Sequence, residues 1–152
     1  MALMQTRLLR VPPLLFDGLL ALALLAVGLI SLAEVGTGPS EDFARDPDGW
    51  NVLLVILMTA PVVLRRRFPT AVLSVVSMAW VIERFVGYPV TMGMWSIPLA
   101  LHAVGSELPA DRSARVAIAS ISGLVSFTVL GAITDDTVTW STVIVMGAFT
   151  VI

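Results

Sequence analysis

The chain has no cysteine among its 152 residues, no lysine, one histidine and one tyrosine. Without cysteine there is no disulfide, no thiolate metal site and no cysteine nucleophile. A single imidazole, His102, excludes a multi-histidine metal centre. Charge is also scarce, at 13% of residues against about a quarter in soluble domains. The net charge of −2 offers nothing for a nucleic acid to bind. Catalytic motifs are missing as well: there is no Gly-Lys-Ser/Thr phosphate loop, no His-Glu-x-x-His, no Gly-x-Ser-x-Gly and no evident carboxylate pair. No catalytic residue and no cofactor is therefore expected within this segment.

What the chain has is hydrocarbon. Hydrophobic residues make up 57% of it and the mean hydropathy is +0.94. Polar residues gather in short clusters between apolar runs, a pattern suited to helices facing lipid. The runs are expected at residues 14–33, 50–64, 69–86, 90–104, 116–133 and 140–152. They predict an all-α, polytopic membrane bundle of about six transmembrane helices. The first run follows Arg7 and Arg10 and is twenty residues long, or ~30 Å of helix, enough to cross a bilayer. A secretory signal is the competing reading, since Ser31-Leu32-Ala33 resembles a cleavage site, but signal cores are usually ~7–15 residues. The last run has only thirteen residues before Ile152, or ~20 Å, so the sixth helix is expected to be cut short in a longer protein.

The connections carry the turn chemistry. Glu34 to Gly49 is a polar, Gly- and Pro-containing loop, and Trp50 opens the second run as an interfacial aromatic. Pro61 interrupts that run late, Arg65-Arg66-Arg67 closes it, and Pro69 suits the first turn of the next helix. Gly87-Tyr88-Pro89 predicts a tight turn, and Gly105 to Arg115 a polar connection. The fifth run contains Ser120, Ser122, Gly123, Ser126 and Gly131, small residues that let membrane helices approach closely. Assigning alternate sides puts seven of the nine arginines with the N-terminus, and the positive-inside rule then makes that side cytoplasmic. The expected location is the plasma membrane.

Few side chains suggest chemistry. Arg65, Arg66 and Arg67 read as topology anchors that also attract anionic lipid. Asp17, Glu83, Arg84 and His102 are candidates for an intramembrane polar site, because ionisable groups inside a bilayer are costly unless they serve a purpose. Each also has a plainer reading. Asp17 faces headgroups, Glu83 and Arg84 snorkel to headgroup water rather than forming an ion pair or a polar site facing the bundle interior, and His102 is an interfacial polar residue. Met92-Gly93-Met94-Trp95 reads as packing, with too few thioethers for a copper site.

The run Ala60-Pro61-Val62-Val63-Leu64-Arg65-Arg66-Arg67-Phe68-Pro69-Thr70-Ala71-Val72-Leu73 resembles the hairpin between the second and third helices of actinobacterial sensor histidine kinases. Pro98-Leu99-Ala100-Leu101-His102-Ala103-Val104 is similar to the segment before that family's next cytoplasmic loop, where Tyr is common at the place of His102. The resemblance implies the N-terminal membrane domain of a two-component sensor, relaying a signal to a kinase beyond residue 152. ATP and Mg would belong to that kinase part. The implied partners are the lipid bilayer, a second copy in a homodimer, and a cognate response regulator. Two other functions fit the apolar layout: a fragment of a multi-pass transporter or permease, and a small structural membrane anchor.

Overall fold

A computed structural model of the chain describes residues 12–35 and 45–134, and every regular element there is helical. Five α-helices follow in order: α1 Pro13–Val35, α2 Gly49–Thr59, α3 Pro69–Phe85, α4 Ser96–Glu107 and α5 Ala110–Thr134. Two 3-10 segments join them, Ala60–Leu64 directly after α2 and Met92–Trp95 directly before α4.

Local chemistry sets the boundaries. Asp48 caps α2 in an extended conformation, its Oδ1 accepting from the backbone N–H of Trp50 at 2.9 Å and of Asn51 at 3.1 Å. Pro61 has no N–H to continue the α ladder, and the chain tightens there into the 3-10 segment. The following turn is closed by Arg67 N–H and Phe68 N–H, which donate to the Leu64 carbonyl at 3.0 and 2.9 Å. Pro69 then starts α3. The helix ends at Gly87, whose φ of 82° is open to glycine at little cost. Gly87 N–H donates to Arg84 O and Tyr88 N–H to Glu83 O, a Schellman closure.

Helix α3 sits between α2 and α4, and α1 packs along α2 and across both 3-10 segments. Helix α5 lies against α4. Val55, Met58, Val76, Ala100 and Val104 are fully buried at the centre. Helix α1 turns one stripe inward, Asp17, Ala21, Gly28 and Leu32, with the helical spacing of four, seven and four residues. Its contact with the bundle depends on glycine: a Cβ on Gly28 would lie 2.8 Å from Val55 Cγ1. A Cβ on Gly93 would lie 3.1 Å from Met58 Cε. Ser31 Oγ adds a polar tie here, accepting from Met92 N–H at 3.1 Å while donating to the Gly28 carbonyl at 2.8 Å.

All-helical architecture agrees with the sequence reading, but six spans do not emerge. Among the described residues one helix, α1, is long and apolar enough to cross a membrane, with 23 residues and a mean hydropathy of 2.3 at its most apolar. The second run splits into 11 α-helical and 5 3-10 residues because of Pro61. The third agrees to within a residue, at 17 residues or ~26 Å. The expected helix 90–104 is broken: Pro89 follows the turn, residues 88–91 are irregular, and the 12-residue α4 begins only at Ser96. Helix α5 starts earlier than residue 116, at Ala110, with Asp111 in its first turn. The sixth run, 140–152, lies outside the described residues.

Candidate functional site

Because α2 and α3 form an antiparallel hairpin, residues far apart in sequence meet at its two ends. The turn after α2 delivers Arg65 and Arg66 to the first turns of α1. There Asp17, 1% exposed, accepts from both. Its Oδ1 takes Arg65 Nε at 3.1 Å and Nη2 at 2.7 Å, and its Oδ2 takes Arg66 Nε at 2.6 Å. Arg65 is buried with Asp17, whereas half of the Arg66 side chain is exposed. The hydrogen bond to Asp17 pushes the Arg66 pKa up from its ordinary value. Arg67 takes no part in this clasp and lies over the ring of Phe68, 5.4 Å from its centroid. Sequence reasoning named all four charged residues but did not join them. Asp17 turns inward as a counter-ion instead of facing headgroups, since only the two arginines can offset its burial.

A second polar cluster occupies the opposite end, where α2 begins and α3 stops. Tyr88 is 2% exposed, and its hydroxyl donates to Asp48 Oδ1 at 2.6 Å, the same oxygen that caps α2. Arg45 Nη2 pairs with Asp48 Oδ2 at 2.7 Å, and its guanidinium stands 4.9 Å from the centre of the Tyr88 ring. The Tyr88 hydrogen bond, with help from Arg45 and the two capped N–H groups, lowers the Asp48 pKa to about 2. Burial and the same bond to Asp48 push the Tyr88 phenol up.

Behind this clasp lies Glu83, which the Schellman closure ties to Tyr88. It is fully buried, its Oε1 accepting from Thr91 Oγ1 at 3.0 Å while its Oε2 has no hydrogen-bond partner. Glu83 does not snorkel outward but faces the bundle interior, and it makes no ion pair with Arg84. Arg84 Nη1 instead donates to the Tyr88 carbonyl at 3.4 Å, and Glu83 points into the bundle because it falls on the same face as Val72, Val76, Ala79 and Trp80. Asn51, in the first turn of α2, is likewise fully buried, with neither end of its amide partnered.

His102 is exposed on α4 and is not among the residues that make either cluster. Asp48, Tyr88, Arg45, Asn51 and Thr91 were not singled out from the sequence, although Asp48 before an apolar run is a cap signal and Gly87-Tyr88-Pro89 a turn signal. No group of three or more His, Cys, Asp or Glu side chains suited to a metal ion occurs among the described residues.

This two-ended layout lies wholly within one family match. The model of a domain of unknown function, DUF7134, matches residues 5–152. The chain belongs to the DUF7134 family. No curated protein and no solved structure gives a match to it. In this DUF7134 chain, then, chemistry has to be read from the two clusters themselves: a closed ionic clasp at one end, and a hydrogen-bonded clasp over unsatisfied polar groups at the other.

Proposed function

We propose that this DUF7134 chain is the membrane-embedded input segment of a two-component sensor histidine kinase, with its arginine-rich end in the cytoplasm. The observation that carries the reading is the Pro61 to Pro69 hairpin, whose sequence resembles that of sensor kinases and whose arginines are pinned to α1 by Asp17. A turn fixed in this way makes α1, α2 and α3 move together. A change at the Tyr88 end can thus reach the cytoplasmic face as one rigid displacement, provided the stimulus binds two packings differently.

Membrane residence is supported by α1, of which only 17% of the most apolar stretch is buried, unlike a core helix of a soluble protein. Leu15, Leu19, Leu22 and Ile30 are exposed along it, available to lipid or to a second copy in a homodimer. Kinase chemistry, with its ATP and Mg, and recognition of a response regulator belong to the proposed continuation beyond residue 152. The test is to exchange residues 1–152 for an unrelated multi-pass anchor in the full-length protein. Autophosphorylation should persist while response to the stimulus disappears; an unchanged response rejects the proposal.

One feature favours a second reading, as part of a transporter. The irregular segment from Tyr88 to Thr91 runs into the bundle beside buried Glu83, as broken helices do at transport sites. Uptake or efflux by vesicles containing the full-length protein would select this reading over the first.

A further inference from the structure

The unsatisfied groups at the Tyr88 end are connected by a continuous chain of contacts. Asn51 N–H and Tyr88 O–H share Asp48 Oδ1, Tyr88 N–H donates to the Glu83 carbonyl, and the Glu83 carboxylate accepts from Thr91. The clasp ties the start of α2 to the end of α3, so Asn51 lies just inside Asp48 and the Glu83–Thr91 pair just inside Tyr88, and each of the three is at most 1% exposed. A buried carboxylate with a bare oxygen and a buried amide with no protein partner at either end are both costly, and native structures seldom leave such groups without a protein group, a water or an ion to meet them. Among the charged neighbours, Arg84 donates to the Tyr88 carbonyl and acts on Glu83 only through space, without a hydrogen bond to its bare oxygen, while Arg45 and Asp48 pair with each other.

We propose that Glu83, Asn51 and Thr91 form a binding site for a small monovalent cation of the sodium type, closed on one side by the Tyr88–Asp48 clasp. Glu83 Oε2, Asn51 Oδ1 and the remaining lone pairs of Thr91 Oγ1 are all hard oxygen donors, the set that selects alkali and alkaline-earth ions over zinc or copper. One carboxylate balances one positive charge, which favours a monovalent ion over calcium. Thr91 already donates its proton to Glu83, so its oxygen is turned to the carboxylate side with lone pairs free to coordinate. The cation would convert the most expensive groups of this end into a closed, neutral site. The inference does not depend on the sensor reading, because binding is read without any signalling output.

The experiment measures thermal unfolding of the full chain in lipid nanodiscs, at fixed pH, with sodium chloride titrated against choline chloride at constant ionic strength. Tm should rise saturably with sodium. Thr91→Val should keep the response but raise the half-saturating concentration about five- to tenfold, the loss of one neutral ligand. Glu83→Gln should unfold at the same temperature in both salts. If that variant does not fold, the Thr91→Val shift decides. A wild-type Tm indifferent to sodium overturns the proposal, as does a sodium response that survives unchanged in Glu83→Gln or in Thr91→Val. A Tm that follows pH but not sodium makes a proton the occupant and overturns it equally.

Discussion

Asp17 decides the arginine end at the scale of single residues. Removing it by Asp17→Ala would leave Arg65 buried without a counter-charge, and breaking a buried pair in this way costs about 3–5 kcal/mol. Arg67→Ala, one residue from the clasp but outside it, should change stability by less than about 0.5 kcal/mol. Denaturant unfolding in nanodiscs compares the two, and equal effects would mean that the triplet acts only as a patch of charge. At the other end, Asp48 offers a pH signature. Its carboxyl titrates at about 2 in the folded chain against an ordinary 3.8, so its contribution to stability is complete above about pH 4 and fades as the pH falls through about 2. Tyr88→Phe removes the largest cause of that shift, and carboxyl-carbon NMR should find Asp48 titrating closer to 3.8. Neither pairing was legible in the sequence. Asp17 and Arg65 are 48 residues apart, and Tyr88 and Asp48 are 40 apart, so hydropathy could mark the residues but not match them.

Among the elements, α1 and α3 were legible nearly to the residue, because long apolar runs between charged or turn-forming flanks leave little choice. The fourth run misled for a physical reason. Val90 to Val104 is mostly apolar, yet Gly87 in the left-handed region and Pro89 direct the chain inward in irregular form before α4 can start. Glycine also sets how closely elements approach, which composition does not reveal. Gly28→Val would press a side chain into Val55 and cost about 1–3 kcal/mol through overpacking. Adding Val55→Ala should recover part of that loss in the same unfolding assay, whereas simple additivity of the two changes would place the strain elsewhere.

For the whole molecule, composition and run length were enough to point to the helical architecture seen among the described residues, while the count of spanning helices was not legible. Helix α2 with its 3-10 extension comes to about 26 Å, as does α3, short of the ~30 Å hydrocarbon thickness, and α4 is shorter still. On the membrane reading proposed above, a bundle of this kind would cross a bilayer by combining segments, with the arginine turn at one surface and the Tyr88 clasp at the other. Alkaline phosphatase fusions to the chain in a bacterial host test that arrangement most directly. A fusion after Asp46 should be active outside the cytoplasm, and one after Arg67 should be silent. Activity after Arg67 with silence after Asp46 would invert the bundle, and equal activity at both sites would contradict a membrane-crossing hairpin altogether.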